Sequence, residues 1–238
     1  MFDYSLDFTN TSSLYESIEK LANKIAKNGL LEFNGVKYRI IDFEFYLNSL
    51  SEIAQDPHTY NNSLQKTTGK IYDHASGLDF TFGDENNAAG ILIRGIAKLS
   101  SKDENSTSQY LVDAYFDGPH KARTELISNL RFNEANMITF DETSKEIETL
   151  VKPDDIKIIC TKRVNLTPKT ADPSHRFINE NLRYIVLIPR YYREEGKLIP
   201  NGNPIKIKGI EKEIKNALSQ NLIDIQTAEN ILGYTIKL

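Results

Sequence analysis

The chain contains 238 residues, of which 39% are hydrophobic and 26% charged, a composition typical of a globular protein rather than a disordered one. The length favours one large domain that spans residues 1–238. No apolar run approaches the ~20 residues of a membrane span, and the first residues carry acids where a signal peptide has bases. We therefore expect a cytoplasmic protein without membrane partners. The single cysteine, Cys160, excludes an internal disulfide, and its apolar context predicts a buried strand position.

The charges are distributed unevenly along the chain. The formal net charge is −4, but residues 1–150 hold 14 Lys and Arg against 23 Asp and Glu, a net of −9. Residues 151–218 hold 14 against 8, a net of +6. A basic region of this kind can bind the phosphates of nucleic acid, although an ordinary solvated surface explains the same charges.

The predicted elements begin with a helix. Capping-box spacing from Ser13 to Glu16 and a helical period of apolar residues predict that helix, and Gly29 is expected to end it. Asn34-Gly35 between two apolar runs predicts a β-hairpin. Further strands are predicted at 70–74, 78–82, 91–96, 156–162 and 183–189, helices at 125–130 and 142–150, loops at 48–68, 103–108 and 191–204, and two helices with a final strand after residue 210. This order predicts an α+β fold with a mostly antiparallel sheet and peripheral helices.

The most informative segment is the strand at 36–47. Because side chains alternate across a strand, Asp42, Glu44 and Tyr46 share one face, whereas Phe43 and Phe45 occupy the other. A buried carboxylate without a partner costs several kcal/mol, so the polar face is solvated, paired or functional. An edge strand with its polar face in water is an equally good reading of the pattern.

A single charge in a second apolar run helps to decide whether the polar face of the strand 36–47 is solvated or paired. Arg94 is the only charged residue in the segment 90–96, and a buried guanidinium needs an anionic partner. Glu44 is a candidate for that partner. Alternatively, the stem of Arg94 packs in the core while its head reaches solvent.

These residues resemble a known family. The segment 39–47, R-I-I-D-F-E-F-Y-L, is similar to the R-I-V-E-T-E-A-Y-L strand of the alkyladenine (3-methyladenine or methylpurine) DNA glycosylases. Segments 69–77, 89–96, 117–119, 163–166 and 182–186 are similar to further motifs of that family in the same order. The resemblance covers about residues 20–190 and implies the family's single domain with a curved sheet, acting as a monomer on duplex or single-stranded DNA through the basic region 151–218.

The resemblance also implies an activity and a set of site residues. The family turns a damaged, alkylated purine nucleotide out of DNA and hydrolyses its N-glycosidic bond without a cofactor, in base-excision repair. Glu44 would be the general base that activates water, and Arg94 would hold that water and the carboxylate. The base pocket would be formed by Tyr46, His58, His74 and Leu166, with Asp42 and Tyr72 in support. No motif lysine is placed for a Schiff base, which predicts a monofunctional hydrolase, and the histidines and cysteine lack metal-ligand spacing.

Three positions differ from the family pattern. Ala75 or Ser76 stands where the family has a wedge tyrosine, Gly83 falls near its purine-selecting asparagine, and His74 replaces a tyrosine. Two alternatives to the DNA glycosylase therefore stay open, namely a hydrolase of small or modified nucleosides and an inactive module that binds nucleic acid or nucleotides. Glu44 together with Arg94 favours an enzyme, whereas the missing wedge favours the alternatives.

Overall fold

The computed structural model describes residues 5–99, 112–129, 138–141, 156–187, 191–194, 197–200, 208–221, 223–232 and 235–236. It confirms an α+β architecture with an antiparallel sheet. The nine strands of this sheet are β1 (Leu30–Phe33), β2 (Val36–Ser49), β3 (Ile71–His74), β4 (Gly77–Thr81), β5 (Asn87–Leu99), β6 (Val112–Asp117), β7 (Ile138–Asp141), β8 (Lys157–Thr161) and β9 (Arg183–Leu187). A separate hairpin joins β10 (Tyr191–Glu194) to β11 (Lys197–Pro200). The helices are α1 (Thr11–Asn28), α2 (Pro119–Ser128), α3 (Arg176–Asn179), α4 (Lys208–Ser219) and α5 (Ile225–Leu232).

Strand β2 is central in the sheet. The order β3-β4-β5-β2-β1-β7 places it between β5 and β1, and β9 pairs with the middle of β2 beyond the reach of β1. Strand β6 adds to β5, and β8 adds to β9. Residues 39–47 therefore do not form an edge strand with its polar face in water, and every pairing between the named strands is antiparallel.

The N-cap of helix α1 lies three residues before the predicted one. Asn10, and not Ser13, is the N-cap, because the Asn10 side chain accepts a hydrogen bond from the Ser13 N–H. The helix ends at Asn28, and the Gly29 N–H donates to the Ile25 carbonyl. Its buried face, Leu14, Ile18, Leu21, Ala22 and Ile25, joins the core.

The predicted hairpin at Asn34-Gly35 is confirmed. Both residues have positive φ, 48° and 80°, as a two-residue turn that matches the twist of the flanking strands requires. This turn fixes the register in which β1 pairs with β2, with Leu31 opposite Tyr38. The register thereby fixes which face of β2 enters the core.

Several predictions need correction. The region 191–204 was expected to be a loop but contains β10 and β11, and the strands β6 and β7 and helix α3 were not predicted. Alternation of Val112, Ala114 and Phe116 with polar residues is the overlooked signal for β6. Cys160 is exposed rather than buried, because it alternates with the buried Ile159 on β8 and faces away from the core. The predicted loop 103–108 and helix 142–150 lie outside the described residues, as does most of the final strand.

Membrane-spanning helices and metal-binding clusters are both absent among the described residues. Within the described ranges no helix is long and apolar enough to cross a membrane. The same ranges hold no group of three or more His, Cys, Asp or Glu side chains that is placed to hold a metal ion.

Candidate functional site

Glu44 lies in the middle of the sheet, where β2 has a neighbour on each side. Its Cα partners are Leu92 of β5 and Arg183 of β9. The register of β2 with β5 shifts at Asp42, which is typical of a β-bulge. The Glu44 side chain has no exposed surface. A carboxylate buried in this way needs partners that replace its lost hydration.

Within the described part of the chain, three donors meet the Glu44 carboxylate. Oε1 accepts the Val164 N–H at 3.0 Å, and Oε2 accepts the Tyr46 hydroxyl at 2.9 Å. The Arg94 Nη1 donates to Oε2 at 3.3 Å, so the predicted approach of Arg94 to Glu44 is confirmed. Burial raises the pKa of Glu44, while Arg94 and the Val164 N–H act in the opposite direction.

Asp42 forms a second buried carboxylate beside the first. Arg183 donates to both of its oxygens, Nε to Oδ1 at 2.9 Å and Nη2 to Oδ2 at 2.7 Å. The Arg94 Nε lies 3.6 Å from Oδ2 of the same carboxylate. Arg94 therefore stands between Asp42 and Glu44, and on the other side Arg183 Nη1 lies 3.8 Å from Glu213 of α4.

Tyr46 is held against a guanidinium group. The Arg163 Cζ lies 4.5 Å from the centre of the Tyr46 ring, a cation–π geometry. Arg163 is itself fixed by the Asp56 carboxylate at 2.5 Å and by the Phe45 and Phe177 carbonyls at 3.1 and 2.8 Å. Burial and the nearby Glu44 raise the pKa of the Tyr46 hydroxyl, which therefore stays protonated and donates to Glu44.

A cleft of about 290 Å³ opens next to Tyr46. Of the predicted pocket residues, Tyr46, His58, His74 and Leu166 line it. Tyr72 contacts the His74 ring but is not among the residues that line the cleft, and neither is the buried Asp42. Glu44 was expected to face the cleft together with Tyr46, but only Tyr46 does so. Glu44 is instead linked to the cleft through Tyr46, whose ring lines the cleft and whose hydroxyl donates to Glu44 Oε2.

One wall of the cleft is aromatic. The His74 ring centre lies 4.7 Å from that of Tyr60 and 4.9 Å from that of Tyr72. The Ser76 N–H donates to His74 Nδ1 at 3.2 Å, so the imidazole proton is on Nε2, which lies 2.9 Å from Asp79 Oδ1. His74 is thus held in one orientation and one tautomer. Flat rings of this kind stack on the faces of nucleobases.

His58 completes the pocket from the loop after β2. Its backbone N–H donates to Asp56 Oδ1, and its Nε2 is buried without a hydrogen-bond partner among the described residues. Burial lowers the pKa of His58, so the ring is neutral near pH 7. A neutral imidazole with one unused nitrogen can donate to or accept from a ligand.

The structure also explains two of the positions that differ from the family pattern. A Cβ at Gly83 would lie 2.0 Å from the Gln65 carbonyl oxygen and 2.2 Å from that of Asn87, so no asparagine fits there. At the tip between β3 and β4, the Ser76 hydroxyl lies 2.9 Å from the hydroxyl of Tyr60, whose side chain is half exposed.

Sequence reasoning missed four groups of the site, namely Asp56, Arg163, Arg183 and the Val164 N–H. Arg183 could have been found, because it is a single charge in the apolar run 182–187, the signal that singled out Arg94. Arg163 and Arg183 lie in the basic region 151–218 but are buried in ion pairs, so they do not face solvent. Lys169 of the same region is exposed and lines the cleft.

The chain matches no protein-family model and no curated protein sequence. The resemblance to the alkyladenine DNA glycosylases therefore stands on the motifs quoted above.

Proposed function

We propose that the protein is a monofunctional base-excision DNA glycosylase, which hydrolyses the N-glycosidic bond of an alkylated purine nucleotide turned out of the DNA strand. One observation carries the proposal. A buried carboxylate, Glu44, is joined by a hydrogen bond to Tyr46, and Tyr46 lines a cleft that the neighbouring rings of His74 and Tyr60 also line. The curved single-domain fold of the methylpurine DNA glycosylases is part of the same proposal.

The charge of Glu44 suits this reaction. When an N-glycosidic bond breaks, positive charge develops on the sugar, and a nearby carboxylate stabilises it. A carboxylate has about four acceptor positions, and the three donors leave one for the attacking water. Glu44 takes the water's proton, the water oxygen bonds to the sugar carbon, and the base leaves with the electron pair of the broken bond. Arg94 keeps the carboxylate oriented during this step.

The raised pKa of Glu44 supports the same role. A general base works best when its pKa lies near the working pH, and burial moves the pKa of Glu44 in that direction. Only the ionised form can accept a proton. Activity should therefore fall on acidification, and it should do so at a higher pH than an ordinary glutamate would give.

The cleft suits a flat aromatic ligand. Its volume of about 290 Å³ is at the lower end of the range for small-molecule sites, so it favours one nucleobase over a larger group. Tyr46, His58 and His74 present ring faces or edges to it. Lys169 is placed at the cleft to meet a phosphate of the same nucleotide.

The test is base release from defined DNA. Single- and double-stranded oligonucleotides with one alkylated purine are incubated with the protein, and abasic sites are detected by alkaline strand cleavage. We expect cleavage with the wild type and none with Glu44→Gln. Asp172→Asn is a control for the acid-to-amide change, because Asp172 is a buried acid whose hydrogen bonds come from Ser174, Arg176 and Phe177 and not from the donors that hold Glu44. Equal release by the wild type and Glu44→Gln would exclude Glu44 as the base.

A second candidate, hydrolysis of small or modified nucleosides, is favoured by the tip between β3 and β4. Ser76 there is small and bonded to Tyr60, so this position offers no side chain to fill a gap in a duplex. Release from free nucleosides, without salt-dependent binding to DNA, would support this candidate. Binding to nucleic acid without release from any substrate would instead support a binding module.

A further inference from the structure

Arg94 is shared between two carboxylates and is tightly bound to neither. Its Nη1 lies 3.3 Å from Glu44 Oε2, and its Nε lies 3.6 Å from Asp42 Oδ2. Charge-assisted hydrogen bonds between guanidinium and carboxylate groups are typically 2.7–2.9 Å long. The Arg94 Nε is buried and makes no hydrogen bond within the described part of the chain. Small movements of Arg94 can therefore change which acid it neutralises.

Asp42, by contrast, is firmly held. Arg183 forms two parallel bonds to it, at 2.9 and 2.7 Å, and both side chains are buried. Glu213 of α4 lies 3.8 Å from the outer nitrogen of Arg183. The successive contacts thus alternate in charge, from Glu213 to Arg183, Asp42, Arg94 and Glu44.

We propose that Asp42 and Arg183 act as a positioning pair, which keeps Arg94 between two carboxylates and so sets how readily Glu44 takes up a proton. Among the described residues that line the cleft neither Asp42 nor Arg183 is found, so both act on Glu44 from behind the site, through Arg94 and through their own charges. The inference rests on the proposed function only for its catalytic consequence. The arrangement itself can be tested without any substrate.

The groups that face Glu44 define the expected directions. Strand β2 contributes Asp42 and Tyr46, β5 contributes Arg94, β9 contributes Arg183, and the segment after β8 contributes the Val164 N–H. Asp42 repels the ionised form of Glu44 and also attracts Arg94 away from it. Neutralising Asp42 should therefore make Glu44 a weaker base.

The experiment follows the side-chain carboxyl carbon of Glu44 by ¹³C NMR in the full chain as pH is varied, with Glu44→Gln used to assign the signal. In Asp42→Asn we expect the Glu44 titration midpoint to move down by about one pH unit, because a like charge is lost and Arg94 is released to Glu44. The matched control, Asp172→Asn, removes a buried carboxylate that does not face Glu44 and should leave the midpoint unchanged.

The opposite change is expected on removal of Arg183. In Arg183→Gln, Asp42 must be neutralised by Arg94 alone, and a cation near Glu44 is lost, so the midpoint should move up. Should Arg183→Gln fail to fold, Arg183→Lys keeps the charge but not the paired bonds, and a smaller upward shift is expected. Shifts of opposite sign from the two members of one ion pair do not arise from a general loss of structure.

A further comparison separates positioning from simple repulsion. Asp42→Asn is repeated in an Arg94→Lys background, where the shared guanidinium is absent, and the shift should become smaller. If Arg94→Lys does not fold, the ¹⁵N resonance of Arg94 Nε gives the same answer, because it should change in Asp42→Asn. An equal Asp42→Asn shift in both backgrounds, an unchanged Arg94 resonance, or an unchanged Glu44 midpoint would overturn the proposal.

The shifts of the Glu44 titration midpoint do not depend on whether base release is found. Midpoints that move as expected in a protein without detectable activity would support the positioning pair and contradict the proposed function. Activity that depends on Glu44, with midpoints that do not move, would do the reverse. If both hold, the acid side of the activity profile should move with the NMR midpoint in each variant.

Discussion

Two arginines that lie within reach of β2 are bound in different ways. Arg163 meets Asp56 at 2.5 Å and two backbone carbonyls at 3.1 and 2.8 Å, and both side chains of this ion pair are fully buried. Arg94 reaches Glu44 at 3.3 Å and Asp42 at 3.6 Å and retains some exposed surface. The contacts of Arg163 are short and involve a single acid, whereas those of Arg94 are longer and are shared between two acids.

This difference indicates different roles. Arg163 ties the segment after β8 to the segment after β2 and packs on the face of the Tyr46 ring, and both contacts are structural. Glu44 must change its protonation state in the proposed reaction, so a tight and exclusive ion pair would hinder it. Arg163, which is buried with one acid and backbone acceptors, therefore has a structural role. Arg94, which is shared between two acids, is suited to a site in which Glu44 gains and loses a proton.

The largest expected effect tests the cluster of Glu44, Arg94 and Asp42. Glu44→Gln keeps the shape of the side chain but cannot take a proton from water, and general-base catalysis contributes typically ~10²–10⁴-fold. We expect base release to fall by at least the lower of these factors, while binding of the lesion oligonucleotide changes little. Single-turnover release assays and fluorescence anisotropy measure the two quantities. Loss of binding together with release would assign Glu44 to substrate recognition instead.

The same acid-to-amide change should affect stability differently in the two clusters. Asp56→Asn leaves the Arg163 charge buried without its counterion and should lower the free energy of unfolding by about 3–5 kcal/mol. Glu44→Gln should not destabilise the fold at neutral pH, because burial raises the pKa of Glu44 and ionisation therefore opposes folding. Urea unfolding of both variants measures the contrast.

The difference in stability between Glu44→Gln and the wild type should depend on pH with a definite sign. For a carboxyl whose folded pKa is raised, stability is fully present below the unfolded pKa and is lost as pH rises through the folded pKa. Any advantage of Glu44→Gln over the wild type should therefore grow with pH and vanish in acid. An advantage that is greatest in acid would contradict the assigned direction of the Glu44 pKa shift.

The two clusters were also unequally predictable from sequence. The face of β2 that carries Asp42, Glu44 and Tyr46 follows from alternation, and Arg94 follows from its isolation in an apolar run. Both belong to adjacent strands, β2 and β5, so local patterns were sufficient. The hairpin at Asn34-Gly35 was predictable for the same reason, since its turn chemistry is local.

The remaining partners come from distant parts of the chain. Arg183 and Asp42 are 141 residues apart, and Val164 and Glu44 are 120 apart. Which segments meet across such separations depends on the whole sheet order, in which β9 pairs with β2, and no local pattern encodes this. Arg163 gave no signal because it follows a strand, where an arginine is ordinarily solvated.

A smaller effect is expected at the link between the cleft and Glu44. Tyr46→Phe keeps the ring, which packs under Arg163, but removes the hydroxyl that donates to Glu44. A hydrogen bond to a charged group contributes about 1.5–3 kcal/mol, so base release should fall by about 10- to 100-fold. Leu166→Ala at the same cleft is a suitable control, since it alters packing against the ligand but not the hydrogen bonds of Glu44. Equal rates for Tyr46→Phe and wild type would restrict Tyr46 to a stacking role.

The smallest effect is expected for a third arginine, Arg123, which forms a paired contact with Asp73 at the surface. One of its two bonds is 2.8 Å long, so its geometry is better than that of Arg94. Both side chains are well exposed, however, and water already satisfies them in the unfolded chain, so exposed pairs contribute little. Asp73→Asn should therefore change the Tm by no more than about 2 °C, and this difference should shrink further in high salt. Differential scanning calorimetry of Asp73→Asn beside Asp56→Asn makes the comparison. A large drop in Tm for Asp73→Asn would mean that the geometry of the hydrogen bonds decides how much an arginine stabilises this fold. Burial of the arginine beside a single acid would then not be the deciding factor.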